Sequence, residues 1–144
     1  MYIYLLPLIT ASMWGLSAVL DKMAMIEMPM YLVFLIGALL YSITAIIVFF
    51  VNYKDLCMKI HTISYKSYIY ALLAAITGFT IANLIYYYSL KKIDNPHVVA
   101  ALAYTAPIFA FIFGLLLLHN KFSIYSLIGV IITIIGVVIV SFNL

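Results

Sequence analysis

The chain has 144 residues, of which 69% are hydrophobic and only 8% charged, with a formal net charge of +3. This balance leaves too little polar surface for a water-soluble domain. The cations are all lysines scattered over the breaks between apolar stretches, which argues against a nucleic-acid interface. The single cysteine, Cys57, excludes an intramolecular disulfide and a thiolate metal site; it falls in a loop and reads as inert.

Five apolar stretches fill nearly the whole chain: Tyr2–Leu20, Met30–Val51, Tyr68–Leu90, His97–Leu118 and Ile124–Phe142. Each approaches or exceeds the roughly 18–20 residues that cross a hydrocarbon core. The expected class is an all-α integral membrane protein with five transmembrane helices. It forms one domain over residues 1–144, with helices over about 2–26, 30–51, 67–90, 96–118 and 124–142. An odd number of crossings puts the two ends on opposite sides of the bilayer. Met1-Tyr2-Ile3-Tyr4 lacks the charged side chains that open a signal peptide, so the first stretch is expected to be retained.

The first helix carries two adjacent stripes at helical spacing. Thr10, Trp14, Ser17 and Asp21 form one, and Ala11, Gly15, Ala18 and Lys22 the other. A polar-and-small sector of this kind faces protein or a water-filled path, because lipid offers polar groups no partner. Ser12 lies outside it and bonds its own backbone. Asp21 and Lys22 fall near an interface, and as sequence neighbours they are poorly placed to pair with each other. Two readings stand side by side: an interfacial acid with a snorkelling lysine, or a proton-carrying Asp21 with Lys22 drawing in an anionic group.

Pro29 suits the first turn of the second helix. Asn52 to Ser67 is the longest break, with Lys54, Asp55, Lys59, His61 and Lys66. The third helix sets a small stripe (Ala71, Ala75, Gly78, Ala82) beside Thr80, Asn83 and Tyr87. Asn83 serves either as a helix–helix hydrogen bond or, with Tyr86 and Tyr87, as a substrate contact. Asn95 and Pro96 are N-cap and first position of the fourth helix, and His97 follows as a neutral interfacial side chain. Ala103, Ala106, Ala110 and Gly114 permit close packing there, and Tyr104 stands one turn from Pro107, whose missing N–H can kink the helix. His119-Asn120-Lys121-Phe122-Ser123 is a tight turn that makes the last two helices antiparallel neighbours. The fifth helix, with Gly129, Thr133 and Gly136, reads as a packing or dimer helix.

Lysines Lys54, Lys59, Lys66 and Lys121 lie in breaks on the N-terminal side, and Lys22, Lys91 and Lys92 on the other. Orientation follows the lysine excess in cytoplasmic loops. So even a distribution fits either one orientation, N-terminus inside, or insertion both ways. With no phosphate loop, nucleophile elbow or metal-ligand cluster, and only four acids spread along the chain, an enzyme is not expected, nor is a cofactor or metal.

Several motifs in order then resemble a known family. Trp14-Gly15, Lys22 and Pro29 look like the first-helix signature of EamA-type members of the drug/metabolite transporter superfamily. Tyr86-Tyr87-Tyr88-Ser89-Leu90-Lys91-Lys92-Ile93 is similar to the end of that family's third helix. Ala103-Tyr104-Thr105-Ala106-Pro107-Ile108-Phe109 resembles its proline-bearing fourth helix, and Leu115 through Ser123 with Gly129 and Gly136 its last hairpin. Two positions depart from the pattern: Gly37 stands near a frequent arginine, and Asn120 where glutamate is usual.

The resemblance implies a half of a ten-helix fold of two inverted five-helix repeats, with a midplane cavity and alternating access. It implies a transporter, expected to export small metabolites across a prokaryotic-type plasma membrane. The partner would be a second copy, antiparallel, or a related five-helix chain. The residues expected to bind the small-molecule substrate are Trp14, Ser17, Asp21, Lys22, Asn83, Tyr87, Tyr104 and Pro107, with the aromatics as walls and Ser17 and Asn83 as hydrogen-bonding groups. Other readings are a small-multidrug-like cation exporter, a lipid-carrier flippase subunit and a non-transporting assembly subunit.

Overall fold

In the computed structural model, which describes residues 6–118, 121 and 123–142, every regular element is helical. The order is α1 (Leu6–Ala24), α2 (Met30–Val51), α3 (Tyr53–Lys59), a short 3-10 turn (Ile60–Thr62), α4 (Tyr65–Ala74), a π-helical stretch (Ala75–Ile81), α5 (Ala82–Lys92), α6 (Pro96–Ala103), α7 (Ala106–Leu117) and α8 (Ile124–Ser141). Among these residues four segments are long and apolar enough to cross a membrane: Met30–Val51, Tyr65–Lys92, Pro96–Leu117 and Ile124–Ser141. α1 has 19 residues, about 28 Å of helix, and carries Asp21 and Lys22 in its last turn. The opening of the first apolar stretch, and His119, Asn120 and Phe122 of the expected last turn, lie outside the described residues.

The ends of the segments follow local chemistry. Pro29 is the residue before α2, held extended at φ −67°, ψ 144°, where its fixed φ and missing N–H cost nothing. Ser64 and Ser123 cap α4 and α8, each accepting from the backbone N–H three residues on, at 3.4 Å. Asn95 precedes α6, with Pro96 at its first position; its backbone carbonyl accepts from Val98 and Val99. The break expected between residues 52 and 67 is itself partly helical. α3 is closed by an ion pair between Lys59 and Asp55 at 3.0 Å, one turn apart, and carries the exposed Cys57.

Two irregularities interrupt the spanning segments. Residues 75–81 widen into π-helix midway along Tyr65–Lys92. There the Thr77 hydroxyl donates to the Leu73 carbonyl at 2.8 Å, and Thr80 to Ala75, five residues back, at 3.4 Å. The fourth span breaks at Tyr104–Thr105, between α6 and α7. The cause is Pro107: it brings no N–H to the Ala103 carbonyl, and its ring would clash with that carbonyl in an unbroken helix.

The chain forms two compact units, Met1–Lys22 with Lys92–Leu144, and Met23–Lys91. In the first, α8 lies against both α6 and α7, and the buried residues are Ala18, Val98, Val99, Ala100 and Gly114. In the second, Val33 and Leu90 are buried. Nearly every other large apolar side chain described is at least partly exposed. That is the expected surface of a protein solvated by hydrocarbon, where dispersion and close packing hold helices together.

Candidate functional site

The polar-and-small sector of α1 meets the residue that caps α6 through an aromatic pair. The Trp14 indole and the Tyr104 ring stack at a centroid separation of 5.8 Å, only 13° from parallel. Tyr104 is the first residue of the break, so Pro107 acts on the pair indirectly: by ending α6 it sets where the Tyr104 ring projects. Trp14 keeps 56% of its surface exposed and Tyr104 36%, so this face is accessible within its unit.

The same stripe of α1 continues to a carboxylate. Ser17 donates to Asp21 Oδ2 at 3.3 Å, one turn along. Trp14, Ser17 and Asp21 thus present a ring, a hydroxyl and a carboxylate in sequence on one side of the helix. Lys22, a step around the helix, is directed elsewhere. Its ammonium donates to the Ile93 carbonyl at 2.8 Å and lies 3.9 Å from Asp94. With 24% of its side chain exposed, Lys22 ties the end of α1 to the α5–α6 connection, a contact between residues 71 positions apart. A backbone carbonyl as a partner leaves no trace in sequence pattern.

Asn83 and Tyr87 belong to the other unit. The Asn83 amide donates to the Phe79 carbonyl at 2.9 Å, one turn back in its own segment. That bond satisfies a carbonyl within the π stretch. Tyr87 makes edge contacts with Phe34 at 6.0 Å and with Tyr86 at 6.1 Å. Its hydroxyl lies 3.7 Å from where a Cβ on Gly37 would stand, so the small residue at 37 admits the tyrosine beside α2. Phe34 was not singled out by sequence reasoning, because on a uniformly apolar helix one aromatic carries no periodic signal.

The structure therefore brings together Trp14 with Tyr104, Ser17 with Asp21, and Tyr87 with Phe34. Among the described residues, no three His, Cys, Asp or Glu side chains come together as a metal site. The chemistry on offer is recognition: flat aromatic faces, hydroxyl and amide groups, and one carboxylate on an apolar frame.

Comparison with known proteins adds one match. A family model described as the EamA-like transporter family matches residues 1–142. No curated protein and no solved structure matches the chain.

Proposed function

Since the chain belongs to the EamA-like transporter family, we propose that it carries small metabolites out of the cell across a plasma membrane by alternating access. It does so as a homodimer whose two copies insert in opposite orientations. Membership makes it a multi-pass membrane transporter of the drug/metabolite superfamily rather than an enzyme; the direction, the partner and the membrane are our reading.

One observation carries the reading furthest: the stacked Trp14–Tyr104 pair stands at the break in the fourth span. An exposed aromatic face at a backbone discontinuity joins a place for cargo to a place that can move, the combination that broken helices give transporters. Ser17, Asp21 and Pro107 complete this set, with Lys22 bracing the end of α1. Asn83 and Tyr87 form a second set within residues 23–91. The homodimer is supported by the even distribution of lysines, which weakens the charge bias that would otherwise choose one orientation. A copy inserted each way restores the inverted pair of repeats on which alternating access rests.

Uptake into inverted vesicles containing this chain alone tests the proposal. Concentrative uptake of a metabolite pool, abolished by Tyr104→Ala and retained by Tyr104→Phe, is the expected result. Absence of uptake together with stable co-purification of a larger membrane complex would replace it with an assembly role. Asp21 is assigned to proton coupling: rates should fall when the pH gradient is collapsed, and Asp21→Asn should remove that dependence.

A further inference from the structure

The connection between α2 and α4 is fixed in depth by its neighbours. Met30–Val51 and Tyr65–Lys92 are both long and apolar enough to cross a membrane, so the chain from Asn52 to Ser64 leaves one bilayer surface and returns to it. α3, about 10 Å long, therefore starts at the level of the headgroups.

This helix is two-faced. Tyr53, Leu56 and Cys57, with Ile60 of the following 3-10 turn, recur at i, i+3, i+4 and i+7 on one side. Lys54, Asp55 and Lys59 fall on the other. The apolar side is not packed on protein: Tyr53 keeps 52% of its surface exposed, Leu56 40% and Ile60 50%, and Cys57 is exposed as well. Tyr53 meets Phe49 edge-on at 5.7 Å, rings of the kind that anchor a protein at the membrane interface. The Tyr68 hydroxyl donates to the Ile60 carbonyl at 3.2 Å, fastening the far end of the segment to the start of the next span.

The charge here is one-sided. Lys54, Lys59 and Lys66 stand against a single acid, Asp55, and that carboxylate is paired with Lys59 at 3.0 Å. Lys54 and Lys66 are exposed, and among the described residues neither has an ion pair or a side-chain hydrogen bond. Lys54 borders an open recess of about 550 Å³ where α2 turns into α3, with Phe50, Val51, Asn52, Tyr53 and Asp55 around it. Ammonium groups with no internal anion, beside an apolar helix face at headgroup depth, complement a negatively charged lipid surface.

We propose that residues 53–66 form a docking surface for anionic phospholipids of the surrounding bilayer. α3 lies in the plane of the interface, with Tyr53, Leu56, Cys57 and Ile60 in the upper acyl region. Lys54 and Lys66 hold the headgroups of acidic lipids. The surface does not depend on the transport reading.

Cys57 is the only cysteine in the chain, so a thiol-reactive fluorophore attached there reports on α3 alone. The labelled full chain is reconstituted in bilayers of equal phosphatidylcholine and phosphatidylglycerol, both leaflets alike, so that either orientation gives the same readout. A trace of one lipid or the other carries a nitroxide quencher high on its acyl chain. Labelled phosphatidylglycerol should quench more strongly, with a local enrichment of about fivefold for each lysine engaged, and added salt should narrow the difference. Lys54→Gln with Lys66→Gln should make the two lipids equal while quenching by labelled phosphatidylcholine persists, which shows the helix still seated. Lys54→Arg with Lys66→Arg, which keeps the charge, should retain the preference. Equal quenching in the parent chain, a preference that survives the glutamine pair, or no quenching by either lipid would overturn the proposal. So would displacement of the labelled lipid by millimolar glycerol phosphate at constant ionic strength, which would assign the lysines to a free anion instead.

Discussion

Lys22 and Lys59 each hold a partner, but the surroundings differ. The Lys22 side chain is 24% exposed and donates to a backbone carbonyl, whereas Lys59 and Asp55 are 68% and 61% exposed on α3. A charged donor on a partly buried carbonyl contributes about 1.5–3 kcal/mol, so Lys22→Gln should lower the unfolding midpoint in micelles and speed amide exchange over residues 93–98. Lys22→Arg should retain most of the stability. A loss of transport in Lys22→Gln with stability intact would return Lys22 to the cargo. Asp55→Asn, by contrast, should change stability by less than about 0.5 kcal/mol, the usual worth of a solvated pair one turn apart. What sequence could show at this scale was residue type: Trp14 and Tyr104 were recognisable as aromatics on small, polar helix faces. Their stacking was not, because it depends on how two helices far apart in sequence meet.

Among the elements, the proline and the serine caps make the sharpest predictions. Pro107→Ala returns a donor to the Ala103 carbonyl and removes the ring clash, so it should stabilise the fourth span by up to about 3 kcal/mol. It should also straighten the segment, lengthening the distance between spin labels placed at the exposed Leu102 and Leu116 in a Cys57→Ser background. Transport should fall if the break is where the protein moves; unchanged transport would make the break a bend and nothing more. Ser64→Ala and Ser123→Ala each remove a capping acceptor and should cost about 1 kcal/mol apiece, read as earlier fraying of α4 and α8 by amide exchange. Apolar runs and caps made the spanning segments legible, since hydropathy and punctuation are local properties. The π stretch was not legible: Ala75, Gly78 and Ala82 follow an ordinary helical stripe, and nothing in hydropathy distinguishes a four-residue from a five-residue ladder.

For the whole molecule, composition alone declared the class, because a chain with this little charge has no means of meeting water over its surface. Composition says less about orientation, where four lysines stand against three. A reporter fused after Leu144 should signal from both sides of the membrane. Replacing Lys91 and Lys92 by glutamine leaves one lysine against four, and should drive the chain to a single orientation with the N-terminus inside. If that variant still inserts uniformly as the parent does, the parent was never dual. If dual insertion is lost and export with it, the antiparallel pair is the working form.

The widened turn at residues 75–81 also gives this span a tolerance of chain length. Deleting Gly78 would let the ladder close at the α-helical interval while α4 and α5 keep nearly the same facing, because a π turn is how a helix takes in one extra residue without turning its flanks. Every side chain from Tyr65 to Ala74 would then keep its neighbours across the loss of a residue. A homologue one position shorter here would align with this chain almost letter for letter, its divergence recorded only as a gap.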